Sequence, residues 1–103
     1  MALNDVLKTA TENGASDIFI IAGLPVTYKI KGVQQRSDDG IMKPNMIEPL
    51  VEEIYQAARR SREGFDAGTD DDFSFAVPGL GRFRVNIFRQ RGAVAAVIRV
   101  IRF

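Results

Sequence analysis

Four arginines, Arg82, Arg84, Arg89 and Arg91, fall within ten residues of one apolar stretch, Gly79-Leu-Gly-Arg-Phe-Arg-Val-Asn-Ile-Phe-Arg-Gln-Arg91. From Phe73 onward the chain carries six Arg and no Asp or Glu. A guanidinium is a permanently charged, planar fork that matches the oxygens of carboxylates and phosphates. A strand that concentrates such forks calls for an anion. The candidates are a phosphate-bearing ligand, a nucleic acid, or the carboxylates of a partner surface. The bland alternative is a solvated strand face paired with Asp70, Asp71 and Asp72. Other chemistry is thin. The chain has no Cys and no His, which removes disulfides, thiolate metal sites and the commonest general base. No nucleophile–base pair can be assembled from what remains. Gly79 and Gly81 lack a following Gly-Lys-Ser/Thr and lead into a strand, so they form no phosphate-binding loop. The acidic run Asp70-Asp71-Asp72 alternates faces on entering a strand, so only two carboxylates could converge on a cation.

The elements that must position these arginines follow from periodicity. Phe83, Val85 and Ile87 share one face of a strand, and Arg82, Arg84 and Asn86 share the other. Ile87 and Phe88 are both apolar, so strict alternation would carry Arg89 and Arg91 onto the apolar face. Unpaired charge is costly there. The expectation is a bulge at Ile87-Phe88 that returns both arginines to the polar face. Neighbouring strands are expected over Asp72 to Val77 and Val94 to Ile101, joined by turns at Pro78–Gly81 and Gln90–Ala93.

Upstream, Leu3, Val6, Leu7 and Ala10 make one face of a helix that stops at Gly14. Ile18-Phe19-Ile20-Ile21 suits a strand buried on both faces. Val26, Tyr28 and Ile30 alternate as a half-buried strand, and Lys31-Gly32 turns into a short strand from Val33 to Arg36. A second helix begins between Pro44 and Pro49, buries Leu50, Val51, Ile54, Tyr55 and Ala58, and ends at Gly64 or Gly68. Glu48, Glu52 and Glu53 near its start and Arg59, Arg60 and Arg62 near its end complement the helix dipole. The sum is one α+β domain, a small, mostly antiparallel sheet covered by two helices.

Charge narrows the partner. Net charge is only +1, because eleven of the thirteen acids precede Asp71. The basic character is local, which favours one basic site over a general nucleic-acid surface. No apolar run reaches the ~18 residues a membrane span needs. The N-terminus lacks the basic region of a signal peptide, so a cytoplasmic location is expected.

The motifs point further. Gly14-Ala-Ser-Asp-Ile18, Ala22-Gly-Leu-Pro25, Asp72-Phe-Ser-Phe75 and above all Gly79-Leu-Gly-Arg-Phe-Arg-Val-Asn-Ile-Phe-Arg-Gln-Arg-Gly92 resemble, in the same order, the N-terminal domain of PilT-type ATPases. These are the type IV pilus retraction (twitching motility) motors of the secretion ATPase superfamily. Phe19 departs from the His that many members carry, and the loop from Asp38 to Lys43 is divergent. The resemblance implies a PAS-like fold and reads residues 1–103 as an N-terminal domain, with the RecA-like ATPase domain outside this chain. It implies a hexameric parent that uses ATP and Mg, in which this domain packs against the RecA-like domains of its own and the neighbouring subunit. It implies work on the inner-membrane platform of the pilus. Arg84, Arg89 and Arg91, with Arg82 as an accessory, are then expected at the nucleotide phosphates. Alone, the domain is expected to be non-catalytic and to carry no cofactor. Two other readings stay open: a PAS-like sensory or protein-interaction domain, and a small nucleic-acid-binding module stacking bases on Phe83 or Phe88. The apolar placement of those two phenylalanines counts against the latter.

Overall fold

The computed structural model describes residues 1–102. The chain runs α1 (Leu3–Glu12), β1 (Ala15–Ile20), β2 (Thr27–Ile30), β3 (Val33–Arg36), α2 (Pro44–Ala58), α3 (Glu63–Ala67), β4 (Asp70–Val77), β5 (Gly81–Gln90) and β6 (Ala93–Ile101). The six strands form one antiparallel sheet in the order β3-β2-β1-β6-β5-β4. The helices lie against one face. Leu3, Val6, Leu7 and Ala10 of α1 and Ile47, Leu50, Val51 and Ile54 of α2 bury there with Ile18, Ile20, Phe83, Val85, Ile87 and Ile98 of the sheet. No helix covers the opposite face among the described residues.

Helix ends follow local chemistry. Pro44 opens α2 at a position where a missing N–H costs nothing. Ala2 offers α1 no side-chain cap, and Glu53 of α2 accepts the orphan Leu3 N–H at 3.2 Å instead. α2 stops at Ala58, well before Gly64, because Arg59 turns left-handed with φ 53° and ψ 45°. A non-glycine residue there costs ~1–2 kcal/mol. Arg59→Gly relieves that strain but loosens the unfolded chain by ~0.5–1 kcal/mol. The net expectation is a gain of about 0.5–1 kcal/mol, read as a raised urea midpoint. An unchanged or lowered midpoint would contradict it.

Beyond Arg59 the chain forms a third helix that periodicity did not foresee. The charges read as dipole partners fasten it instead. Arg62 donates to Glu48 and Glu52, each at 2.7 Å, and to Asp66 at 3.0 Å. This ties α3 back to α2. β1 also differs from expectation: Ile18 and Ile20 are buried, while Phe19 between them is half-exposed on the uncovered face.

β5 pairs without interruption through Ile87 and Phe88, to Asp71 and Asp70 on one side and to Ala96 and Ala95 on the other. The expected bulge is absent. The irregularity lies in β1, where Ala15 opposes Ile30 and Asp17 opposes Lys29, leaving Ser16 as the extra residue. That bulge lets Ala15 face the core and Asp17 face the open side.

Candidate functional site: the open face of the sheet

With β5 in strict register, its arginines go to different places. Arg82, Arg84, Asn86 and Phe88 share the open face. Phe88 is half-buried there, beside Ala95, rather than in the core with Phe83. Arg89 falls on the helix face, at its margin. Its guanidinium stacks 4.0 Å from the centroid of Phe65 and donates to the carbonyls of Phe65 and Gly68 at 3.4 and 3.1 Å. The charge thus finds partners where an apolar face was expected to exclude it. Arg91 takes a left-handed φ of 53° and, with Gly92, makes the β5–β6 turn. It borders a groove of about 510 Å³ lined by Ile21, Ala22, Leu24 and Pro44. Arg84 and Arg91 are separated by seven residues, about 23 Å of strand. Arg84, Arg89 and Arg91 are therefore not brought together, and Arg82 lies at the far end of the strand beside Ile101.

The sheet assembles a different group. Arg84 stands directly opposite Arg99 of β6, and Arg99 directly opposite Asp17 of β1. Arg84 Nε donates to Asp72 at 3.1 Å, and Arg99 Nε to Asp17 at 3.4 Å. Asn86, the next residue on that face, donates to Asp70 at 3.4 Å and to the Asp71 carbonyl at 3.3 Å. Arg84, Arg99, Asn86, Asp17 and Asp72 line a shallow cavity of about 270 Å³ together with Val85 and Val97. Asp71, between Asp70 and Asp72, points to the helix face and takes Arg60 and Tyr55. Of the acidic run, then, Asp72 does hold a β5 arginine, as the bland reading supposed.

Arg99 was counted among the C-terminal arginines but not singled out. Its signal was available. A two-residue turn at Arg91-Gly92 fixes the hairpin register, and counting outward from it places residue 84 opposite residue 99. Chemically, this group offers the forked cations of Arg84 and Arg99 and the neutral amide donor of Asn86 beside the carboxylates of Asp17, Asp70 and Asp72. It can hold an oxyanion or a charged partner surface.

No protein-family model matches the chain. Among curated proteins, it is 34% identical over 101 residues to the type IV pilus retraction ATPase PilT of Pseudomonas aeruginosa, covering 98% of this chain and 29% of the relative. Among solved structures, the pilus retraction motor PilT with bound ADP superposes with a TM-score of 0.86 at 34% identity, over 99% of this chain and 29% of that one. The Legionella pneumophila ATPase DotB superposes with a TM-score of 0.74 at 25% identity, over 96% of this chain and 28% of that one. The chain thus spans less than a third of the length of the proteins it matches. Similar in sequence and backbone across nearly all its residues, it belongs to the PilT-type secretion ATPases, as their N-terminal domain.

Proposed function

We propose that this domain works within a hexameric type IV pilus retraction ATPase, joined to a RecA-like ATPase domain and packed against that of the neighbouring subunit. Its role is to meet the nucleotide with a strand-held arginine and to convert nucleotide state into domain movement. The motor acts on the cytoplasmic side, at the inner-membrane platform of the pilus. The observation that carries this reading is the whole-domain match to a retraction motor solved with ADP. Among the described residues, no helix is long and apolar enough to cross a membrane.

Arg84 is the residue best placed for the role. It is held on a strand, its Nε is fixed by Asp72, and its side chain is 64% exposed. A cation positioned beforehand neutralises phosphate charge without reorganising during the reaction. Arg82 shares its face, as an accessory. Arg91 sits at the opposite end of β5, and Arg89 is engaged by α3. The open face fits phosphate oxygens but not Mg²⁺, because Asp17 and Asp72 each already neutralise an arginine. Any such ion would take its ligands from the RecA-like domain.

The test uses the longer protein in which this domain is joined to its RecA-like domain. Arg84→Ala should lower steady-state ATPase activity about tenfold, the worth of one charge-assisted hydrogen bond to phosphate. Unchanged ATPase activity together with unchanged pilus retraction would sink the reading.

A further inference from the structure

On the helix side of the sheet, the end of α1 meets β2, β3 and the loop that follows β3 around a cavity of about 340 Å³. That is the lower end of the ~300–1,000 Å³ usual for small-molecule sites. Tyr28 lines it and is itself only 7% exposed. A phenol hydroxyl both donates and accepts hydrogen bonds. Among the described residues, Thr9 is its one side-chain hydrogen-bonding neighbour, which leaves part of that capacity to the cavity. Ser37 lines the same space, and its hydroxyl oxygen is buried with no partner among the described residues. Buried hydroxyls left unused cost stability, so a cavity that holds two of them together calls for an occupant. The rim supplies acceptors. Asn13, one turn beyond Thr9, gives its amide nitrogen to the Thr9 carbonyl at 2.7 Å, and its Oδ1 stays open. Asp38 and Asp39 follow Ser37, and neither forms an ion pair among the described residues. The charge of Asp39 reaches the Tyr28 hydroxyl. Arg36 borders the cavity through its backbone, since it stands opposite Thr27 and strand alternation sends its side chain to the uncovered face.

We propose that this cavity binds a primary ammonium ion. The carboxylates of Asp38 and Asp39 balance its charge, and the oxygens of Ser37, Tyr28 and Asn13 accept the N–H groups that remain. Ile30 gives the alkyl chain an apolar wall. Two carboxylates without counter-ions select against an anion. A divalent cation wants more oxygen ligands, carboxylates foremost, and no group of three acidic side chains stands together among the described residues. The ammonium has two sources, a free alkyl diamine or the lysine side chain of a bound protein. The cavity lies across the sheet from Arg84, so its occupation is independent of the motor reading.

The test is titration of the chain at constant ionic strength with putrescine, with a blocked lysine (N-acetyl-lysine methylamide) and with tetramethylammonium, followed by amide NMR. With putrescine, the backbone signals of Ser37 and Asp39 and the side-chain amide of Gln35 should shift together and saturate at one concentration. Tetramethylammonium carries the charge without N–H groups and should bind at least about tenfold more weakly. Asp39→Asn should weaken putrescine binding about tenfold, the worth of a charge-assisted hydrogen bond. Tyr28→Phe keeps the ring and Ser37→Ala the backbone, and each should weaken it about threefold to fivefold. Glu63→Gln, on α3, removes the same unit of charge and should change affinity less than about twofold. Equal binding of putrescine and the blocked lysine supports a site that reads one ammonium group. A preference for putrescine supports it with a free diamine as the source, and a preference for the blocked lysine supports it with a protein partner as the source. Tetramethylammonium binding as well as putrescine, or Mg²⁺ or Ca²⁺ binding more tightly at the same signals, overturns the ammonium assignment. A wild-type titration that does not saturate removes the site, even where a variant misfolds.

Discussion

Phe65→Ala lowers the stability of this domain by about 3–5 kcal/mol, the usual cost of emptying a buried phenylalanine site. Phe65 is fully buried and is the one buried residue of α3. A helix of five residues has no stability of its own. Its place depends on that ring, which two guanidiniums approach: Arg89 at 4.0 Å and Arg62 at 5.5 Å from its centroid. Arg89 also donates to carbonyls at the end of α3, where a cation opposes the negative end of the helix. With ~4–8 °C of melting temperature per kcal/mol in a domain of this size, the midpoint should fall by more than about 12 °C. Phe65→Leu should recover most of the buried area but not the cation–ring contacts, leaving a deficit of about 1 kcal/mol. Thermal denaturation measures both. A Phe65→Ala midpoint within a degree or two of wild type would show that α3 is not anchored this way.

The same contacts bear on function. An arginine that holds a helix end and an aromatic ring is not free to follow a nucleotide. Loss of Arg89 should appear first as lost stability, in step with α3. Loss of Arg84 should leave stability almost untouched, since its ion pair is exposed on both sides and such pairs contribute little. Comparing the two truncations by denaturation therefore separates a structural arginine from a functional one before any nucleotide is added.

Much of the fold was readable because long periodic elements carry their own signal. The stripes of α1 and α2 and the three C-terminal strands lie close to where spacing puts them. Three features were not. α3 has one apolar anchor, so it has no period to read. The adjacent Ile87 and Phe88 read as an inserted residue. In fact Phe88 faces the open side, and Arg89 reaches the core margin because Phe65 and the α3 carbonyls wait there. The actual bulge at Ser16 leaves no trace in the pattern, since Ser16 and Asp17 are both polar and either could face water. The candidate site shows the same division. Arg84 was legible from strand alternation, whereas its pairing with Arg99 depends on register between strands, which the Arg91-Gly92 turn fixes and composition does not.

Asp71 should account for a measurable part of the acid lability of the fold. It is the member of the acidic run that turns inward, and its side chain is only 11% exposed. It accepts Arg60 at 2.8 and 3.0 Å and the Tyr55 hydroxyl at 2.9 Å. Hydrogen bonding from Arg60, then from Tyr55, holds its carboxyl below the ordinary aspartate range, against the opposing effect of burial. A carboxylate with a depressed folded pKa stabilises the fold fully above the unfolded value of about 3.9, and that stability drains as pH falls through the lower folded value. Asp71→Ala also leaves the Tyr55 hydroxyl buried without its acceptor. The charge-assisted bond to Tyr55 sets the scale, so the cost at pH 7 is about 2–3 kcal/mol. The half-exposed Arg60 adds little to that. Urea denaturation of wild type and variant at pH 7 and again near pH 2 gives the decisive comparison. The gap should narrow on acidification, because acid protonates the unfolded carboxyl before the folded one and so draws down the stability that the charge contributes. A gap constant across that range would assign the stabilisation to packing of Tyr55 against Phe73, whose ring centroids are 5.0 Å apart, and not to the Asp71 charge.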